Sequence, residues 1–267
     1  MIGARTRLAL AQNLFRGDRP ARRLVASIDI RSGDRVYDLG AGTGRVTDAL
    51  LGAGARVVAV EKDPNLAGKL RARFGGASVH ILQADLRRVA FKAPYKVVAN
   101  LPFNVTAAAL RRLLLDDPAP DAAAIALQRE AAEKYVGWPR LTAVSLAARP
   151  WFEVSLGRAI AREDFVPTPR VDIAVLRVVR RPAPLLEPAH RGPWMAFARY
   201  ALARPDAEAR ATFGPLLSGL QWRRLSADLA IASGASREDL SLDQWLGLYR
   251  FVRAHIPARK RRRALGG

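Results

Sequence analysis

Short apolar runs alternate with longer amphipathic stretches along the first 180 residues. The apolar runs predict strands at 36–39, 56–61, 79–82, 96–99 and 122–127. The stretches between them predict helices through 46–50, over 64–74 and 106–115, and from residue 130. Since parallel strands need crossover helices, this order predicts a parallel sheet with helices on both faces.

The pattern changes near residue 181. Two further strands are predicted at 151–156 and 173–179, and a stretch containing Pro182, Pro184, Pro188 and Pro193 is typical of a linker. From Trp194 onward only helical periodicity remains. We therefore expect an α/β catalytic domain over 1–180, opening with a basic arm and a short helix, and a small all-α C-terminal domain over 181–267.

A glycine cluster follows the first predicted strand of the sheet, Gly40-Ala41-Gly42-Thr43-Gly44. Glycines there allow a ligand to approach the backbone. Glu61 ends the next strand, 19 positions after Gly42, and can accept hydrogen bonds from both hydroxyls of a ribose. Asp85 follows the third strand and can accept one from an adenine amine. Three such groups at consecutive strand ends predict a nucleoside cofactor.

The glycine spacing indicates which cofactor this is. A dinucleotide fingerprint is G-x-G-x-x-G, whereas these glycines are spaced G-x-G-x-G and follow an acid, Asp38. S-adenosylmethionine is a cation that needs no phosphate-binding helix N-terminus and tolerates acidic neighbours. The cluster therefore favours S-adenosylmethionine.

The tetrapeptide Asn100-Leu101-Pro102-Phe103 follows the fourth strand. The N6 amine of adenine is a poor nucleophile because its lone pair is delocalised into the ring. The Asn100 side-chain oxygen and the Leu101 carbonyl could each accept one N6 proton and draw the amine towards tetrahedral geometry. Pro102 stiffens the turn, and Phe103 offers a ring on which an extruded base can stack. These residues predict methylation of adenine N6.

Composition narrows the function classes. The chain is 50% hydrophobic and 25% charged, as globular proteins are, and no apolar run is long enough to span a bilayer. It has no cysteine, which excludes disulfides and zinc knuckles, and its three histidines fall in unlike elements, so we expect no metal. With 44 Lys and Arg against 24 Asp and Glu, the net charge of +20 predicts a nucleic-acid partner.

Arginines near the predicted pocket and in the N-terminal arm are the candidate RNA contacts. They are Arg16, Arg19, Arg87, Arg88, Arg111 and Arg112. The basic run 259–263 is predicted to be a mobile tail that attracts phosphates without sequence preference.

The motifs together resemble a known family. At 11–15, 38–44, 60–61, 84–86, 100–106 and 165–172 the sequence resembles the rRNA adenine N6-methyltransferases, and among them the Erm enzymes that act on 23S rRNA. The resemblance implies a Rossmann-like class I S-adenosylmethionine methyltransferase fold, with Asn13 and Phe15 closing over the methionine end of the cofactor. It implies that Gly40, Gly42, Glu61, Asp85 and Asn100 also contact the cofactor. Many relatives have Tyr in place of Phe103, which leaves the number of methyl groups open.

The resemblance also implies macrolide-type antibiotic resistance. A housekeeping 16S rRNA dimethyltransferase shares the same motifs, and the passage 149–152 together with a short loop at 135–141 favours Erm. The expected partner is 23S rRNA before ribosome assembly is complete, and we expect a cytoplasmic monomer that contacts no membrane. Three different functions stay open beside these two: a binding-only descendant of the same fold, a nucleotide-dependent dehydrogenase and a DNA adenine methyltransferase.

Overall fold

The structure is a computed structural model that describes residues 13–76, 78–102, 104–203 and 208–265. The described residues up to Glu133 and from Phe152 to Pro182 form one compact unit. Lys134–Trp151 and the described residues from Ala183 onward form a second.

The first unit is built on a sheet. Its described strands are, in chain order, β1 (Leu14–Phe15), β2 (Arg35–Leu39), β3 (Arg56–Glu61), β4 (Val79–Gln83), β5 (Lys96–Asn100), β6 (Ala122–Gln128), β7 (Phe152–Leu156), β8 (Phe165–Val166) and β9 (Ile173–Arg180). Seven of these described strands form one sheet in the order β4-β3-β2-β5-β6-β9-β7. The predicted strands are confirmed, with ends that move by a residue or two.

The sheet is mixed, so the prediction of a parallel sheet is wrong at one end. The five strands from β4 to β6 are parallel, but β9 is antiparallel to both β6 and β7. The chain from β7 to β9 contains only the 3-10 turn Arg162–Asp164 and the two-residue β8. Such a connection has no crossover helix, and without one the returning strand pairs antiparallel.

The described helices are α1 (Arg19–Val25), α2 (Arg45–Gly52), α3 (Pro64–Phe74), α4 (Thr106–Leu115), α5 (Arg129–Val136), α6 (Ala143–Ala148), α7 (Arg191–Ala201), α8 (Ala209–Phe213), α9 (Gly219–Asp228), α10 (Leu242–His255) and α11 (Ala258–Leu265). The predicted bounds of α3 and α4 are confirmed. Asp63 caps α3 by accepting from the backbone N–H groups of Asn65 and Leu66 at 2.8 and 3.1 Å, and Pro64 occupies the first turn.

The core of the first unit lies between the sheet and its helices. Val36, Val57 and Val98, on three neighbouring strands, are fully buried in one cluster with Leu50 of α2 and Leu70 of α3. Removing such side chains from water is the main favourable contribution to folding. This burial fixes the sheet against its helices, and so fixes the positions of the strand ends.

The second unit is helical and includes residues 134–151, which the sequence analysis places in the first domain. The sequence predicts residues 134–151 to belong to the catalytic domain, but α6 packs against α7. Trp194 of α7 is fully buried, and its Nε1 donates to the Leu146 carbonyl at 3.0 Å. These contacts join residues far apart in the chain, which periodicity cannot reveal.

Two further predictions about the C-terminal region are wrong. Pro193 lies in the first turn of α7 rather than in a linker, a place where proline is tolerated because its missing N–H has no partner in the helix. The basic run forms α11 rather than a mobile tail. Lys260 Nζ donates to the Leu216 carbonyl at 2.9 Å, and Arg261 donates to the Arg253 carbonyl. No helix within the described ranges is long and apolar enough to cross a membrane.

Gly44, which precedes α2, allows a test of how the start of α2 packs against α3. Its φ is +83°, and a Cβ there would lie 2.7 Å from Phe74 Cε2 and 2.8 Å from Leu70 Cδ2. We expect Gly44→Ala to lower the free energy of unfolding by about 2 kcal/mol, because strain and overlap add. The matched control is Gly52→Ala, at the end of α2, where a Cβ meets nothing within 4 Å. Urea unfolding should show little loss for the control, and equal losses would contradict the packing described.

Candidate functional site

Three strands bring their carboxyl ends together at one edge of the sheet. In the parallel register Leu39 of β2 lies opposite Val60 of β3 and Ala99 of β5. The residues that follow these three in the chain are Gly40, Glu61 and Asn100, respectively. The chain passes from β2 to β3 on one side and later returns to β5 on the other, and open α/β sheets bind ligands at such a reversal of strand order.

The glycine turn is fastened to the end of β3. Gly42 N donates to Glu61 Oε2 at 2.9 Å, and Asp63 N donates to Glu61 Oε1 at 2.9 Å. The Glu61 side chain is buried, and these two backbone N–H groups compensate for the water that it loses as hydrogen-bond donor. Gly40 and Gly42 have φ of +77° and +54°, a conformation that other residues rarely adopt. The turn therefore has a backbone conformation that suits glycine, and Glu61 holds it fixed to the end of β3.

A second buried acid, Asp38, lies at the end of β2. Thr47 Oγ1 donates to Asp38 Oδ2 at 2.7 Å, whereas Oδ1 is buried and accepts no hydrogen bond from a described residue. Burial raises the pKa of Asp38 to about 7, and the nearby negative charge of Glu61 adds to the rise. A buried acceptor without a donor is costly unless a ligand provides one.

Asn100 and its neighbours lie against the glycine turn. Asn100 Nδ2 donates to the Asn13 carbonyl at 2.7 Å, which orients the amide and leaves its oxygen as an acceptor. Leu101 N donates to the Ala126 carbonyl at 3.4 Å, and no described residue donates to the Leu101 carbonyl. Pro102 Cδ would lie 3.7 Å from a Cβ placed on Gly40. Phe103 lies outside the described residues, so its stacking role stays a prediction.

The N-terminal motif reaches this site through a pairing that sequence analysis missed. Strand β1 pairs antiparallel with β8, with Leu14 opposite Val166 and Phe15 opposite Phe165. The Phe15 and Phe165 ring centroids are 5.0 Å apart. This pairing joins the motifs at 11–15 and 165–172, and their shared presence is the signal that could have found it. It places Asn13 beside Asn100 and Leu14 beside Gly42.

Asp85 is engaged by two cations. Arg87 donates to Asp85 through its backbone N–H, Nε and Nη2 at 3.0, 2.9 and 2.5 Å, and Lys62 Nζ lies 3.4 Å from Oδ2. The Arg87 guanidinium holds the pKa of Asp85 well below its usual range. Arg87, predicted to contact RNA, is thus paired with the predicted adenine acceptor, because Asp85 caps the short 3-10 turn Leu86–Arg88 that carries Arg87.

Arg112 is likewise used within its own unit. Its guanidinium donates to the Leu86 and Val89 carbonyls at 3.1 and 2.8 Å, and lies 5.2 Å from the centre of the Phe91 ring. It therefore ties α4 to the segment after β4. The other candidate RNA contacts, Arg16, Arg19, Arg88 and Arg111, are exposed, and RNA contact by any of the six arginines stays a prediction. Across the described ranges no three metal-binding side chains cluster.

The site suits a cationic nucleoside cofactor. Glu61 has a second lone pair on each oxygen for ribose hydroxyls, and Asp38 has a buried oxygen that accepts no hydrogen bond from a described residue. S-adenosylmethionine provides both the hydroxyls and the positive charge. The residues present therefore fit this cofactor.

Comparison with known proteins finds rRNA methyltransferases and a resistance protein. A family model described as "Ribosomal RNA adenine dimethylase" matches residues 3–253. The chain is 31% identical over 249 residues to the mycinamicin-resistance protein MyrB of Micromonospora griseorubida, covering 91% of this chain and 78% of that protein. It is 32% identical over 261 residues to ribosomal RNA small subunit methyltransferase A of Synechococcus elongatus, covering 91% and 93%. The crystal structure of the 23S rRNA methyltransferase ErmE superposes with a TM-score of 0.79 at 25% identity, covering 90% of this chain and 100% of that chain.

The pKa of Asp38 predicts how stability depends on pH. Between about pH 4 and 7 the unfolded carboxyl releases its proton while the folded one keeps it, so this group's contribution to stability falls as pH rises. The amide in Asp38→Asn cannot titrate and can still accept from Thr47. We expect the stability of Asp38→Asn relative to wild type to increase by about 2–4 kcal/mol from pH 4 to 8 in urea unfolding. Asp29→Asn controls for loss of an exposed carboxylate. A difference independent of pH would contradict the assignment.

Proposed function

Because this chain belongs to the ribosomal RNA adenine dimethylase family, we propose that it methylates N6 of one adenine in 23S rRNA and so confers macrolide-type resistance. It is an S-adenosylmethionine-dependent rRNA adenine methyltransferase with the class I methyltransferase fold. We propose that the substrate is 23S rRNA and that methylation confers resistance, and we propose the individual roles of the site residues.

The residues at the sheet edge divide the work of holding the cofactor. Glu61 accepts from the ribose hydroxyls, Asp38 lies towards the positive charge, and Asp85 accepts from the adenine amine. Asn13 and Phe15 lie at the methionine end, on the strand that β8 holds in place. Bound S-adenosylmethionine supplies an electrophilic methyl group.

The Asn100 loop holds the nucleophile. The Asn100 oxygen and the Leu101 carbonyl each accept one N6 proton, which localises the nitrogen lone pair and aims it at the methyl group. Asn100 and Leu101 would thereby direct the new N–C bond at the methyl group, for which the sulfonium sulfur of S-adenosylmethionine would be the leaving group that keeps the electron pair of the S–C bond. The second N6 proton then passes to water. Alignment of the two reacting atoms lowers the barrier without a dedicated base.

The main support for this reaction is the 2.7 Å hydrogen bond from Asn100 Nδ2 to the Asn13 carbonyl, which lies beside the Gly40 turn. This contact supports the proposal that the amine acceptor lies next to the residues that hold the cofactor. The choice of 23S rRNA is supported by the likeness to the ErmE structure and by the passage 149–152, and the resistance by the likeness to the mycinamicin-resistance protein MyrB. The likeness to the Synechococcus elongatus small subunit methyltransferase favours 16S rRNA as the second candidate.

An adenine inside a stacked helix cannot reach the Asn100 loop, so the target must lie where a base can be extruded. We therefore place the reaction on a single-stranded loop of 23S rRNA before the ribosome is fully assembled. We expect the enzyme to act as a monomer in the cytoplasm.

Mass spectrometry of both ribosomal RNAs, from cells with and without this protein, tests the proposal. We expect N6-methylated adenine at one 23S position, and macrolide resistance in the same cells. Asn100→Ala should lower methylation at least about 100-fold, because the amine loses an acceptor and its alignment. Asn65→Ala removes an exposed asparagine from the same unit and should leave methylation intact. A mark confined to 16S rRNA would overturn the 23S assignment in favour of the second candidate. Full activity in Asn100→Ala would overturn the mechanism.

A further inference from the structure

Trp138 is conspicuously exposed. Its side chain is 59% exposed, whereas Trp151, Trp194 and Trp245 are 4% exposed or less. An indole presents a large apolar surface that folding normally buries. Trp138 lies in the loop between α5 and α6, ten positions after the end of β6.

The structure holds this loop firmly. Gly137 has a φ of +84° and turns the chain sharply, and a Cβ there would lie 2.7 Å from Ser145 Oγ. Thr142 Oγ1 donates to the Lys134 carbonyl at 2.6 Å, and Arg149 Nη2 donates to the Val136 carbonyl at 3.2 Å. The indole therefore projects from a loop that is anchored at both ends, which reduces the entropy lost when a ligand binds to it.

Two exposed basic residues lie close to Trp138 in the sequence. Lys134 precedes it by four positions, Arg140 follows it by two, and both side chains are exposed. A flat aromatic ring flanked by cations is the arrangement with which proteins bind unpaired nucleotides: the base stacks on the ring and the phosphates contact the cations. The chain's net charge of +20 adds long-range attraction for RNA.

We propose that Trp138 is a stacking platform for an unpaired nucleobase of the substrate RNA, with Lys134 and Arg140 facing the adjoining phosphates. The proposal rests on the proposed function in that RNA is the substrate. The stacked base is not the target adenine, because that base is held by Asn100 and Leu101 in the other unit. Trp138 thus acts on RNA affinity and has no role in methyl transfer.

Steady-state kinetics with the rRNA that the wild type methylates will test this. Trp138→Ala should raise the KM for RNA about tenfold, with kcat and the Kd of S-adenosylmethionine unchanged within twofold. Trp138→Phe should retain most of the affinity because it keeps a ring. Trp138→Leu should match Trp138→Ala because it keeps only apolar bulk. The control is Leu220→Ala, which removes a 53% exposed apolar side chain from the same unit and should change nothing.

Fluorescence gives a second readout that a structural role would not move. RNA should quench the tryptophan emission of the wild type, and Trp138→Phe should lose most of that quenching while still binding RNA. An unchanged KM in Trp138→Ala, or wild-type behaviour in Trp138→Leu, would overturn the proposal. So would a change in sedimentation without a change in KM, because it would assign the indole to a protein contact. If the wild type methylates 16S rRNA, the proposed function fails while these comparisons still decide the stacking.

Discussion

The buried carboxylate of Glu61 is the interaction on which the site depends. It accepts from Gly42 N and Asp63 N at 2.9 Å each, and so ties the turn after β2 to the start of the segment after β3. An ionised carboxylate is costly to bury unless donors surround it, and here the backbone provides them. The same turn meets Leu14 on one side and Pro102 on the other. Fixing the turn therefore fixes how the N-terminal strand and the Asn100 loop approach each other.

The charges of the protein are separated by function. The net charge is +20, and most of the described arginines and lysines are exposed, whereas Asp38 and Glu61 are both buried at the sheet edge. Because burial and the negative charge of Glu61 both disfavour ionisation of Asp38, the site gains when a cationic group enters. Exposed arginines attract a polyanion over distances of about a Debye length. The basic exterior thus suits RNA, and the acidic interior suits a cationic cofactor.

Local rules predicted the elements well and long-range pairing poorly. The bounds of β3, α3 and α4 match prediction because apolar periodicity and caps such as Asp63 act within a few residues. The antiparallel placement of β9, the β1–β8 pair and the assignment of 134–151 to the helical unit all depend on contacts between distant segments. Arg87 and Arg112 show the same limit at the site: their positions near the motifs predict RNA contacts, and this stays a prediction. Their positions do not reveal that Arg87 also binds a nearby carboxylate and Arg112 two backbone carbonyls.

Calorimetric titration of S-adenosylmethionine into Glu61→Gln tests the central claim most directly. Glutamine has the same shape but accepts through one atom only, so one of the two backbone donors loses its partner and the turn loosens. We predict at least about a 30-fold loss of affinity relative to wild type, equivalent to about 2 kcal/mol. Glu153→Gln, at an exposed carboxylate paired with Arg181, should bind as the wild type does. Wild-type affinity in a folded Glu61→Gln would contradict the account.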